Sequence, residues 1–208
     1  MWHKRALIAV VCAMLFLSAC TPRLIGEEKA KEAGLALINL AFDLQETEAK
    51  AALEERPGLS YINGIQAHLG DEKPIPYYTV KVGLQEDGNP LYYAEVNAAT
   101  GVAYRAEKCL STIVLTEEQQ KQADALGTLE DFFTEDFSEV QQSSVRTVDG
   151  WVHDRLERDV PFLRTVPNII ESDSVSFPLV WMEYYVICVN GTIYNVTLCW
   201  PTMEVVGV

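Results

Sequence analysis

The chain has 208 residues, 49% of them hydrophobic, which suits one domain or two small ones with a real core. Its 30 acidic residues against 16 basic ones give a formal net charge of −14, which argues against nucleic acid and against direct adhesion to anionic lipid. The sequence has no phosphate-binding glycine loop, nucleophile elbow or paired-histidine zinc motif, so it points to neither an enzyme nor a cofactor.

The first element is an address. Lys4 and Arg5 precede an apolar run from Ala6 to Leu17, closed by Ser18, Ala19 and Cys20. A basic start, a short apolar stretch and small residues at its end make a secretion signal. The run is shorter than the about 20 apolar residues a membrane span needs. Leu17-Ser18-Ala19-Cys20 resembles the lipobox of bacterial lipoproteins. That resemblance implies cleavage of residues 1–19 and a diacylglyceryl thioether, with acyl chains such as palmitate, on Cys20. Two acyl chains anchor stably where one is marginal. The expected location is the exported face of the cell membrane, reached through the lipid. Losing Lys4 and Arg5 makes the mature part more acidic still.

A helix is expected next. Ala30, Ala33, Leu37, Ala41 and Leu44 recur at helical spacing, and the region is read as helical, with a break near Asp43, until Pro57-Gly58. Tyr77–Val82 and Leu91–Val96 read as strands around the Asp87-Gly88-Asn89 turn signal. Asn97–Gly101 then turns into a strand at Val102–Arg105.

The plan comes again, faintly. Leu115–Ala123 can be laid over Ile25–Ala33, with Thr116 and Gln119 as a capping box. The paired glutamates Glu27-Glu28 and Glu117-Glu118 suit the positive end of a helix dipole. Tyr184–Val189 resembles Tyr77–Val82, and Asn190-Gly191 is a strong hairpin signal, the type I′ turn. Cys199–Met203 then matches Asn97–Gly101. Between Ser138 and Met182 the reading stays open: Asp149-Gly150 closes a hairpin, or Trp151–Arg158 forms a short helix. Pro161, Pro167 and Pro178 suggest loops and edge segments.

The expected fold class is α+β: two related units, each a helix packed on a small antiparallel β-sheet, at residues 20–108 and 109–208 after the signal peptide at 1–19.

Ile25-Gly26-Glu27-Glu28-x-Ala30, Tyr77–Val82 and Tyr93–Val102 together resemble a PepSY domain over residues 25–105. Asn97 stands where that family usually has an acidic residue, which keeps the turn chemistry. The second copy departs further, with Met203 in place of Gly101 and Trp200-Pro201 in place of Ala98-Ala99. The resemblance implies a regulatory or inhibitory role toward peptidases at the cell surface and carries no catalytic residues.

Five residues are the candidate binding surface: Tyr78, Tyr93, Trp181, Tyr185 and Trp200, aromatics on or beside strands. Export permits disulfides, and Cys109, Cys188 and Cys199 remain once Cys20 carries lipid. A bridge from Cys109 to Cys188 or Cys199 would join the two units. His153, Asp154 and Glu157 have ligand-type chemistry at helical spacing but lack a second histidine, and no metal or cofactor is expected. Two functions compete. One is a non-enzymatic binding or regulatory lipoprotein whose partner is an envelope protein or a peptidase. The other is a small-ligand or envelope-polymer binder with a cleft between the units.

Overall fold

The computed structural model describes residues 23–56, 60–62, 65–67, 75–86, 88–109, 112–126, 128–172 and 179–208. The signal segment, Cys20, the Pro57-Gly58 stop, Asp87 and Pro178 lie outside the described residues. No helix among the described residues is long and apolar enough to cross a membrane.

Helix α1, Glu27–Phe42, starts after Gly26 and buries Ala30, Gly34, Ile38 and Ala41. It stops at Asp43, which takes the left-handed conformation. The Asn39 side chain then clasps the backbone N–H and C=O of Glu46, each at 2.9 Å. The continuation read as helix is instead strand β1, Lys50–Arg56. That stretch alternates in register with a neighbouring strand, and the gain from pairing overrides the helix preference of Ala51, Ala52 and Leu53. A short hairpin follows, β2 (Ser60–Ile62) with β3 (Ile65–Ala67). Then come β4 (Ile75–Leu84), β5 (Pro90–Asn97) and β6 (Ala103–Lys108).

Helix α2, Glu117–Ala125, has the expected capping box: Gln119 N–H donates to Thr116 Oγ1, and Thr116 N–H to the Gln119 side chain. Two 3₁₀ turns, Glu130–Phe133 and Glu135–Phe137, lead into α3, Ser138–Arg155. This longer helix resolves the open stretch of the sequence. Asp149 and Gly150 lie inside it and close no hairpin. Ser144, Val148 and Val152 form its buried stripe. The chain ends with β7 (Phe162–Ser172), β8 (Val180–Cys188), β9 (Ile193–Trp200) and β10 (Glu204–Gly207).

The fold is α+β, but the two halves do not each form a sheet of their own, and the β2–β3 hairpin stands apart as a two-stranded sheet. The other eight strands make one antiparallel sheet in the order β1-β4-β5-β6-β10-β9-β8-β7. The last strand of each half meets at the centre, where the Ala106 and Val208 backbones exchange hydrogen bonds of 2.7 and 2.9 Å. The helices cover one face over two cores. In one core, α1 packs on Tyr78, Val80, Val82, Ala94 and Val96. In the other, α3 and the 3₁₀ turns pack on Met182, Tyr184, Val186, Leu198 and Trp200. The helix laid along the strands of the second half is therefore α3, while α2, which holds the segment that matches α1 in sequence, adds only Ala123 to that core.

The hairpin match also shifts. Tyr77 stands opposite Asn97, and it is Trp181, not Tyr184, that stands opposite Cys199. A slip by an odd number of residues exchanges the faces of a strand. The Asn190-Gly191 hairpin exists, but its turn runs from Cys188 to Gly191, and among its residues only Gly191 has positive φ. It is therefore not the two-residue type I′ turn.

Candidate functional site on the helix-free face of the sheet

Side chains alternate across a strand. Below the α1 core, β4, β5 and β6 therefore turn Tyr77, Thr79, Tyr93, Glu95, Arg105 and Glu107 to the face that carries no helix among the described residues, the helix-free face. A bulge between Glu95 and Val96 in the pairing to β6 brings Tyr104 to the same side.

These residues form one network. Glu95 is the hub and is 8% exposed. Arg56, from the edge strand β1, pairs with it, and Arg105 approaches its other oxygen at 3.5 Å. Arg56 also donates to the Tyr104 hydroxyl at 2.7 Å and lies over the Tyr77 ring, 4.1 Å from its centroid. The Tyr77 hydroxyl donates to Glu54 at 2.8 Å. Arg105 pairs with Glu107, which also accepts from the Tyr93 hydroxyl. Burial, then the hydrogen bond and charge of Glu95, push the Tyr104 phenol up to about 12. Burial and then Glu107 raise that of Tyr93. A carboxylate so poorly solvated is tolerable because two guanidinium groups replace its water.

The second half presents Trp181, Glu183 and Tyr185 from β8 on the same face, with Asn195, Thr197 and Cys199 from β9. Asn168 donates to Glu183 at 3.2 Å. Near the sheet centre the segment before α2 crosses behind β9 and β10. There Ile113, Leu179, Cys199 and Val206 make a small third core, with Trp181 packed against it.

The five aromatics expected to form one surface therefore separate. Tyr78 and Trp200 are each 4% exposed and belong to the helix-side cores, which corrects their assignment to a binding surface. Trp200 meets the rings of Phe132 and Phe137 at 5.6 and 5.7 Å. Tyr93, Trp181 and Tyr185 do lie on the helix-free face, Tyr185 the most open of them. Arg56, Glu95, Tyr104, Arg105 and Glu107 were not among the residues expected from the sequence. Their signal was the polar alternation Tyr93-x-Glu95 and Arg105-x-Glu107, legible only once the two strands are paired.

Cys188 and Cys199 are buried free thiols, so neither takes part in the disulfide that export would permit. Cys188 faces the α3 side and Cys199 the opposite side. Cys199 sits across from Trp181, roughly 20 Å from Cys188 at about 3.3 Å per strand residue. Burial pushes the Cys199 thiol up to about 12. Cys109 closes β6, its N–H donating to the Leu91 carbonyl at 2.7 Å.

On the helix side, a groove of about 350 Å³ lies between the halves, lined by Phe42, Tyr92, Lys108, Trp151, Arg155 and Met203 among others. Lys108 pairs with Glu204 at its margin, 2.8 Å. His153 is exposed beside Asp154, while Glu157 accepts from the Tyr194 hydroxyl at 2.8 Å, so the three do not converge. Among the described residues no group of three His, Cys, Asp or Glu side chains is placed to hold a metal ion.

Fold and site define an α+β protein whose helices cover one face of a continuous eight-stranded antiparallel sheet. Among solved structures, the Bacillus megaterium YpeB C-terminal domain is similar at a TM-score of 0.39 and 9% identity, over 89% of this chain and 62% of that one. A likeness of that size leaves the family unassigned. No protein-family model and no curated protein matches the chain.

Proposed function

We propose that this protein is an exported lipoprotein, anchored through Cys20, that binds a protein partner on the helix-free face of its sheet and performs no catalysis itself. The observation that carries the reading is the Arg56–Glu95–Arg105–Glu107 network with Tyr77, Tyr93 and Tyr104 around it. Tyrosine and arginine are the residue types enriched in protein interfaces, and cross-bonded side chains lose little freedom on binding. The PepSY-like stretch at 25–105 supports a peptidase of the cell envelope as the partner. We also read 20–108 and 109–208 as related units, supported by the repeated order of a helix and four strands.

The test is co-purification of the full chain from its native membrane, with mass spectrometry of the Cys20 peptide. A diacylated peptide and a co-purifying protein, lost with Tyr104→Ala and Tyr185→Ala, are expected. An unmodified Cys20 would overturn the anchoring, and recovery unchanged by either variant would overturn the binding face.

A second reading has its own observation, the groove between the halves, whose size falls at the lower end of small-ligand sites. Native mass spectrometry of the same preparation tests it. A bound small molecule released by Trp151→Ala supports it, and a bare mass in the unsubstituted protein counts against it.

A further inference from the structure

The two outer strands of the sheet are guarded unequally. β7 carries Pro167 and two register shifts, devices that blunt an edge. β1 pairs with β4 through seven consecutive residues, Lys50–Arg56, with no shift and no proline. No strand lies on its outer side among the described residues. Leu53 on this edge is 46% exposed. Lys50 stands directly opposite Lys81, and neither forms an ion pair among the described residues. Like charges in that position repel.

We propose that β1 is a self-association edge: two copies pair their β1 strands antiparallel about a two-fold axis through Ala52, continuing one sheet across both molecules. The sequence from Glu48 to Arg56 is Glu-Ala-Lys-Ala-Ala-Leu-Glu-Glu-Arg, which complements itself in this register. Lys50 falls opposite Glu54 of the partner subunit, the attraction that sets the register; Glu48 falls opposite Arg56 of the partner subunit, and Arg56 is already turned inward to Glu95. These pairs share the helix-free face with Ala52. On the other face Ala51 meets Leu53 of the partner subunit. The incoming glutamate reaches the Lys50–Lys81 pair and relieves its repulsion.

Neighbouring registers fail. Centring on Leu53 sets Lys50 against the partner's Arg56. Centring on Ala51 sets Glu48 against the partner's Glu54. Centring on Lys50 or Glu54 opposes each to its own twin. A C₂ contact of this kind is closed, so it makes a dimer and not a fibre.

The experiment is disulfide trapping of the full chain in mild detergent, with Ala52→Cys on the axis. Cβ atoms of directly opposed residues lie about 4.5–5.5 Å apart, close enough for a bridge after small adjustment. Ala52→Cys is expected to yield a covalent dimer under mild oxidation, above the background of the unsubstituted chain. Lys50→Glu on that background should lower the yield about tenfold, since two attractions become two repulsions. Adding Glu54→Lys should restore it, because the swapped charges again complement. Circular dichroism confirms that each variant is folded. The proposal is overturned by the absence of an Ala52→Cys dimer, by a yield indifferent to Lys50→Glu, or by failure of the double reversal to restore it. It is equally overturned if β1 is covered only when a different protein is added.

Discussion

The backbone of Met203 holds the left-handed position that Gly101 holds in the other half, φ 57° against 77°. The two turns are built alike. Gly101 N–H donates to the Asn97 carbonyl at 2.8 Å, and Met203 N–H to that of Cys199 at 2.7 Å. Thr100 and Thr202 each accept, through Oγ1, from the N–H two residues on, both at 3.3 Å. A side chain in this conformation costs roughly 1–2 kcal/mol.

Gly101→Ala is therefore expected to lower stability by about 1 kcal/mol. The added Cβ has room, 3.6 Å from Ile25, so the cost lies in the backbone. At the other turn, Met203→Ala should be less stable than Met203→Gly. Alanine keeps the strain and loses the thioether contacts, whereas glycine loses the contacts and removes the strain. Urea denaturation of the four proteins checks the order.

Gly34 lets α1 approach the sheet closely. A Cβ there would sit 2.6 Å from that of Val80. Gly34→Ala should destabilise by about 1–3 kcal/mol in spite of alanine's better helix propensity. Val80→Ala in the same chain should recover part of the loss, and a double-mutant cycle on thermal melts measures the coupling.

Glu95→Gln removes the charge that both Arg56 and Arg105 face. Their side chains are 35% and 45% exposed, so they can turn to water. The expected cost is about 2 kcal/mol, below the 3–5 typical of a fully buried pair. Chemical denaturation measures it, and added salt should weaken the effect only slightly, because Glu95 itself is shielded.

Stability should fall as pH rises above about 9. Cys199 has its folded pKa raised to about 12 from a thiol's ordinary 9, and Tyr104 to about 12 from 10. Between those values the unfolded chain has lost protons that the folded chain keeps, so stability declines with pH. The contribution is whole below the unfolded pKa and lost by the folded one. Cys199→Ala should flatten the slope from about pH 9 and Tyr104→Phe from about pH 10, read from melting temperature against pH. In the native protein at pH 8 the Cys199 thiol should resist alkylation, and react on unfolding.

The sheet-face variants of these predictions rest on residues that only strand pairing reveals. Arg56 lies in a stretch that reads as the end of a helix, and its partner Glu95 stands far along the chain. Tyr77-Tyr78 and Tyr184-Tyr185 look like matching pairs, yet Tyr78 and Tyr184 are core while Tyr77 and Tyr185 face away. A doublet on a strand does not declare which member points inward, since that depends on the register with its neighbour. Ser138–Arg155 was hidden for a different reason: Asp149-Gly150 reads as a turn, and only the stripe of Ser144, Val148 and Val152 against the sheet makes the helix worthwhile.

What the sequence determined by itself is local. The capping box of Thr116 and Gln119, the Asx turn in which Asn97 accepts from Ala99 and Thr100, and the hairpin after Cys188 are each made by neighbours in the chain. Their hydrogen bonds form over two to five residues and need nothing from elsewhere. Tertiary structure decided the rest: that β6 and β10 merge the halves into one sheet, that β1 is a strand, and that Glu95 is held between two arginines. Those outcomes depend on contacts between distant segments, where burial and pairing outweigh the propensity of any single stretch.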